Sequence, residues 1–156
     1  MTPMHVVLYE PDIPWNTGNV GRTCVATGSA LHLVGRLGFE VGSKEIRRSG
    51  LDYWEKLKLV QHPSWEAFES SLPPDAPVFL FSKWGKTDFW NADYTHSSYL
   101  VFGCETTGLP AAVRRKYSDR LFRIPMEEGS VRSLNLSTAV SIALYEALRQ
   151  KRGQGR

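Results

Sequence analysis

The run Ile124-Pro125-Met126-Glu127-Glu128-Gly129-Ser130-Val131-Arg132-Ser133-Leu134-Asn135-Leu136-Ser137-Thr138-Ala139-Val140-Ser141 decides how this chain folds and where it works. It reads as the end of a strand, then a short polar loop, then the first turns of an apolar helix. A loop dense in Ser, Asn and Gly, set against a helix N-terminus, presents backbone N–H groups and short polar side chains to a ligand. The same residues favour a plain helix cap, so composition leaves both readings open. The helix is expected to run over 136–150. Leu136, Val140, Ala143 and Ala147 recur at helical spacing, and Leu144 and Leu148 widen the stripe. Arg149, Lys151 and Arg152 suit its C-terminal dipole, and Gly153 is placed to end it. Such a helix is too apolar for a surface position, so a binding loop is expected on a buried helix near the end of the chain.

Working outward, short apolar runs bounded by turn residues predict strands at 5–9, 31–34, 57–60, 77–82, 98–103 and 121–124. Between the first two lies a turn-rich loop over 12–19, then a helix over 20–27 that closes at Gly28. Two strands separated by a helix form a βαβ unit and imply a parallel sheet. A short basic helix over 44–50 is N-capped by Ser43, and Ser64 caps another over 65–70. The pattern is α/β throughout, a mainly parallel sheet flanked by helices, and residues 1–156 read as a single domain. In such folds ligands bind beyond the C-terminal ends of the strands. The loops that follow strands here are 16–22, 83–86, 103–110 and 127–135.

The net charge of +3 over 156 residues is mildly basic and permits a polyanionic partner. There is no apolar run long enough to span a membrane, and residues 1–5 carry no signal-peptide pattern. Cys24 and Cys104 are too few for a disulfide framework and read as free thiols of a cytoplasmic protein. His5, His32, His62 and His96 are scattered, with no metal-ligand spacing, so no metal site is expected.

Three constellations carry chemistry. Asn16-x-Gly18-Asn19-x-x-Arg22 places glycine before a helix and Arg22 one turn into it; alone it is equally an ordinary loop with a surface Arg. Phe102-Gly103-Cys104-Glu105-Thr106-Thr107-Gly108-Leu109-Pro110 has the glycine spacing of a phosphate loop. Leu109-Pro110 stands where Lys and Ser/Thr would be needed, which rejects that motif. The third is the opening loop, with Ser133 and Asn135. Short basic clusters (Lys44, Arg47, Arg48, Lys83, Lys86, Arg114, Arg115, Lys116), interleaved with Trp84, Trp90 and Tyr94, would serve a nucleic-acid surface. Each cluster alone reads as a solvated face.

Longer motifs join these loops. They are Leu8-Tyr-Glu-Pro-x-Ile-Pro-x-Asn-Thr-Gly-Asn19, Arg47-Arg48-x-Gly50-Leu51-Asp52-Tyr53, the 102–110 run, and Arg123-Ile-Pro-Met126 followed by Ser133-x-Asn135-Leu-Ser137. In this order they resemble the motifs of the SPOUT RNA methyltransferases, above all the single-domain branch that 2'-O-methylates the wobble nucleotide of certain tRNAs. The departures are Cys104, where that family usually has Pro or Ser, and one extra residue within 127–132. The resemblance implies a C-terminal trefoil knot, which connection rules alone would argue against. It also implies a homodimer, S-adenosylmethionine as cofactor, and a tRNA anticodon arm as partner. It implies cofactor contacts at Phe81, Gly103, Ile124, Ser133 and Leu134, functional roles at Arg22, Glu105 and Asn135, and RNA contacts at Arg47, Arg48 and Lys86. A guanidinium stays charged and makes a poor base. Arg22 is therefore expected to hold a phosphate and the developing oxyanion, and Glu105 to brace its loop or the partner's arginine. Alternatives are a ribosomal-RNA 2'-O-methyltransferase, which often carries an extra domain, and a non-catalytic RNA-binding protein on the same fold.

Overall fold

The computed structural model describes residues 3–154, and the side chains of these except at 49–52, 153 and 154. Seven strands form one sheet: β1 (His5–Tyr9), β2 (Ala30–Val34), β3 (Lys58–His62), β4 (Val78–Phe81), β5 (Thr87–Asp88), β6 (Tyr99–Phe102) and β7 (Leu121–Arg123). Their order is β3-β2-β1-β6-β4-β7-β5, and every pairing is parallel. The central strands are apolar end to end because both faces of the sheet are covered, as all-parallel sheets require. Val6, Leu8, Phe79, Phe81, Leu100 and Phe102 point to one face and Val7, Leu80 and Val101 to the other.

The first face is closed by α1 (Pro14–Thr27) and α5 (Leu136–Gln154), through Val20 and Cys24 of one and Val140, Ala143, Leu144 and Ala147 of the other. The second is closed by α3 (Trp65–Ser71) and α4 (Ala111–Lys116), through Phe68 and Val113. α2 (Lys44–Gly50) packs beside α1, with Ile46 fully buried and Ser43 Oγ accepting from the Ile46 amide at 3.4 Å. Ser64 caps α3 as the sequence predicts, accepting from the Ala67 amide at 3.1 Å. Leu144 has no exposed surface; truncating such a residue to Ala costs about 2–5 kcal/mol.

Several sequence expectations are corrected. The stretch 14–19 is the opening of α1, not a loop: Pro14 takes the first helical turn, where its missing N–H is harmless and its φ already fits. Arg22 is therefore eight residues into the helix, two turns along rather than one. Gly18 and Gly21 do not break α1, and Gly21 lets it pack closely: a Cβ there would sit 3.0 Å from the Trp54 ring. α4, β5 and the 3-10 segment Leu51–Lys56 were not expected. Gly153 lies inside α5, which continues to Gln154. The apolar stripe of α5 is buried as read, but its opposite side is open, with Ile142 and Tyr145 exposed. Tyr94 is 1% exposed and its hydroxyl donates to the Phe89 carbonyl at 2.7 Å, so it belongs to the core and not to an RNA surface.

The β2 half of the sheet holds a line of histidines across three strands. His5 Nδ1 lies 3.0 Å from His32 Nε2, and His32 Nδ1 lies 3.0 Å from His62 Nε2. Burial first, then the neighbouring His5 and His62, holds His32 down to about 4. Both cysteines are free thiols, and burial pushes Cys24 up to about 12. Among the described residues no helix is long and apolar enough to cross a membrane, and no His, Cys, Asp and Glu group could hold a metal ion.

Candidate active site

The strand order, not the strand direction, reverses between β1 and β6: the chain leaves β1 toward β2 and β3 on one side, and leaves β6 toward β7 on the other. Crevices form where strand-end loops part at such a reversal. Here the loops after β4, β6 and β7 part, and the entries of α1 and α5 close the space. The result is a cleft of about 670 Å³.

Each loop has a local reason for its shape. After β6, the Gly108 amide donates to the Cys104 carbonyl at 3.0 Å, and Gly108 takes a positive φ of 68°, so residues 103–108 turn back on themselves. Gly103 lies directly against Gly108 and Leu109, where an added Cβ would collide with backbone. Only glycine fits there, and Gly103 itself lines the cleft. After β4, Ser82 donates from its amide to the Phe122 carbonyl at 2.9 Å, and Ser82 Oγ accepts from the Trp84 amide at 3.2 Å. Gly85 then presses on the backbone of Phe122. The loop thereby runs from β4 round β7 to β5 on its far side before returning to β6.

Asn135 joins two elements. Its Oδ1 accepts from the Ser137 amide at 2.9 Å, from Ser137 Oγ at 2.6 Å and from the Thr138 amide at 3.3 Å, an N-cap for α5. Its Nδ2 donates to Asn16 Oδ1 on α1 at 3.0 Å. Glu105 makes the matching link from the β6 loop to α1. Its carboxylate accepts from the Asp12 amide at 3.1 and 3.2 Å and from the Ile13 amide at 2.6 Å. These are charge-assisted bonds, and they fix where α1 begins. The Asp12 carboxylate is held in turn by Cys104 Sγ at 3.0 Å and Thr106 Oγ1 at 3.3 Å.

Phe81, Gly103, Ile124, Ser133 and Leu134, five residues expected to meet a cofactor, all line this cleft, with Glu105 and Asn135. The floor is apolar: the rings of Phe81 and Phe102 stack 4.6 Å apart at an interplanar angle of 6°. The sequence reading did not place Trp84, Phe102, Arg114, Met126 and Arg132 in this cleft, Trp84 and Arg114 being expected only on a nucleic-acid surface. The signal available for Phe102 and Met126 was their place at a strand end beside a predicted loop; Arg132 had none beyond its neighbour Ser133.

Four expected residues lie elsewhere. Arg22 does not line the cleft; it is exposed on α1, its guanidinium 5.3 Å from the centroid of the Tyr53 ring. Arg47 and Arg48 are exposed on α2, in the β2–β3 half, whereas Lys86 is exposed beside the edge strand β5. Seven strands at the usual spacing put the two edges about 29 Å apart.

A parallel α/β sheet with a deep cleft at its reversal and a helix-capping Asn in that cleft defines a class of small-molecule-binding folds. The chain matches the family described as SpoU rRNA Methylase over residues 3–145, and it belongs to that family. The tRNA (cytidine(34)-2'-O)-methyltransferase of Burkholderia pseudomallei strain 1106a is 44% identical over 153 residues, which cover 97% of this chain and 97% of that protein. A solved structure described as giving insights into the 2-OH methylation of C/U34 on tRNA superimposes with a TM-score of 0.93 at 46% identity, over 97% of this chain and 98% of that one. The SpoU methyltransferase AviRb of Streptomyces viridochromogenes, in complex with the cofactor AdoMet, superimposes with a TM-score of 0.81 at 30% identity, over 99% of this chain and 60% of that one.

Proposed function

We propose that this chain is an S-adenosylmethionine-dependent methyltransferase that modifies the ribose 2'-hydroxyl of cytidine or uridine at the first anticodon position of tRNA. The observation that carries the reading is the convergence, in one cleft, of five residues from three loops far apart in the chain. The match to the Burkholderia relative along 97% of both chains supports the tRNA substrate over ribosomal RNA, since the solved rRNA methyltransferase of Sinorhizobium meliloti is covered over only 56% of its length. A single domain over 1–156, working in the cytoplasm, accords with this reading.

The cleft fits the cofactor. Its volume of about 670 Å³ lies in the range of small-molecule sites. The stacked Phe81 and Phe102 offer an apolar floor to a purine, and Gly103 bares its backbone where a side chain could not fit. Phe81, Gly103, Ile124, Ser133 and Leu134 would hold the group, which supplies an already activated methyl. The chain's own task is then to align the ribose and manage one proton. Bound there, the group would give its methyl to the ribose oxygen and keep the electron pair of its carbon–sulfur bond, so the chain must let the 2'-hydroxyl proton leave.

Glu105 is the only carboxylate lining the cleft among the described residues, and it is engaged by the Asp12 and Ile13 amides. It acts as a positioning residue that sets α1. The proton leaves to water or to a phosphate oxygen of the RNA. Asn135, already oriented by Asn16 and the α5 cap, steers the hydroxyl. Arg22 holds the phosphate and the developing negative charge.

Arg22 reaches a cleft only across a subunit boundary. Trp15, Asn19, Arg22 and Ala26 form one exposed stripe of α1, and Ile142 and Tyr145 lie exposed on the neighbouring α5. This strip, with Trp15, Ile142 and Tyr145 as its apolar part, is the surface of a homodimer, which brings Arg22 to the partner's cleft. The run from β4 round β7, with α5 returning to α1, is the trefoil thread. Methyl transfer from labelled cofactor to tRNA, followed by nucleoside mapping, tests the reading. The expected product is a 2'-O-methylated first anticodon nucleotide; label found only in ribosomal RNA, or none, overturns it.

A further inference from the structure

Trp84 lines the cleft beyond the residues given to the cofactor. It is 59% exposed, an unfavourable setting for an indole with no function. Its loop is not loose. Two turn bonds, from the Trp84 amide to Ser82 Oγ and from the Gly85 amide to the Ser82 carbonyl at 3.0 Å, hold it against β7. Two cations attend the ring: Lys83 Nζ lies 5.2 Å and Arg114 Cζ 5.5 Å from its centroid.

The two cations differ. Arg114 is half-buried, and its Nε donates to the Leu109 carbonyl at 3.3 Å, which fixes it to the β6 loop. Lys83 is exposed, and its flexible stem is displaceable. The ring is thus attended by one anchored guanidinium and one movable ammonium. An aromatic face backed by positive charge is the device by which proteins hold unstacked bases and their phosphates.

We infer that Trp84 is a stacking platform for the base next to the methylated nucleotide, with Lys83 and Arg114 on its phosphate. This rests on the proposed anticodon substrate. The cofactor's own base is not the occupant, because the apolar floor of Phe81 and Phe102 is deeper and better enclosed: these rings are 7% and 3% exposed. Stacking there would splay the anticodon loop and present the 2'-hydroxyl to the cleft. Trp84 therefore selects single-stranded over paired RNA.

The test uses the full chain, an anticodon stem-loop RNA and S-adenosylmethionine. Trp84→Ala is expected to raise KM for the stem-loop about tenfold, leaving kcat and cofactor affinity within about twofold, and Trp84→Phe to recover most of the loss. With 2-aminopurine beside the first anticodon nucleotide, binding to the wild type should quench fluorescence and binding to Trp84→Ala should not. An unchanged KM in Trp84→Ala overturns the platform. So does a loss of cofactor affinity equal to the rise in KM, which would assign the ring to the cofactor's base. If the wild type methylates no stem-loop, the anticodon reading fails first and the platform falls with it; an active wild type with an indifferent Trp84→Ala sinks the platform alone.

Discussion

The proposed cofactor side and the proposed RNA side of this protein are built differently. Phe81, Gly103, Ile124, Ser133 and Leu134 meet in one cleft of one chain, fixed by backbone packing and by the Glu105 and Asn135 bonds to α1. Arg22, Arg47, Arg48 and Lys86 are exposed, and they are spread from α2 to the β5 edge. One chain thus holds a finished small-molecule site and only fragments of a macromolecular one. On the proposed reading, the fragments become a site when a second copy supplies the missing cation.

The largest effect that would break this contrast lies at Gly103 and Arg22. Gly103→Ala should drive a Cβ into the Gly108–Leu109 backbone and lower cofactor affinity more than a hundredfold by calorimetry, whatever the RNA. Arg22→Ala should lower turnover on the order of a thousandfold with cofactor affinity unchanged. Arg22→Lys should retain part of that rate if charge alone is used, and none if the guanidinium's fork is needed. A fall in cofactor affinity in Arg22→Ala would erase the distinction between the two sides.

Next in size is Asn135, where the two sides touch. Asn135→Ala removes the α5 cap and the Asn16 bond, and should cost about 1–2 kcal/mol in denaturant unfolding. Asn135→Asp keeps the capping oxygen and loses the donor to Asn16. It should recover most of the stability and little of the turnover, whereas equal recovery of both would make Asn135 a cap and nothing more. Smaller again, Arg47→Glu with Arg48→Glu should weaken tRNA binding and flatten its salt dependence by about one unit of slope per lost phosphate contact. An unchanged slope would remove α2 from the RNA surface.

The effect with the least bearing on catalysis lies far from the cleft. His32 is held at about 4 in the folded chain, below its unfolded value of 6.5. A lowered value means that the unfolded chain binds more protons between these limits. Stability from His32 is therefore whole above pH 6.5 and is lost as pH falls from 6.5 toward 4. Between pH 7 and 5 this is on the order of 1–2 kcal/mol. Thermal unfolding of His32→Gln should be less sensitive to that acid step than the wild type; an equal sensitivity would place the acid response elsewhere.

How much was legible in sequence follows the same division. The strands were readable because burial on both faces makes them continuous apolar runs, such as Val78–Phe81. The cofactor loops were readable because glycine and capping residues sit at fixed offsets from strand ends. The start of α1 was not, since Pro14, Gly18 and Asn19 read as turn residues until packing against Trp54 and the Glu105 carboxylate makes them a helix entry. Tyr94 misled for a related reason: an aromatic residue among polar neighbours looks superficial, but its hydroxyl finds a partner in Phe89 and the ring is buried. Trp84 was noticed as an aromatic residue near basic ones, but its place on the cleft rim depends on the β4 loop encircling β7, a tertiary fact. Nor does a single sequence state that Arg22 points away from its own cleft.

The shared site is the central claim, and one measurement addresses it most directly. Arg22→Ala chains, with an intact cleft, are co-expressed with Gly103→Ala chains, which keep Arg22, and mixed dimers are assayed for methyl transfer to tRNA. Each mixed dimer would pair one sound cleft with the partner's sound Arg22. Random pairing should then restore about a quarter of wild-type activity, although each parent is inactive alone. Activity no higher than the sum of the two parents would mean that Arg22 serves its own chain, and would contradict the account.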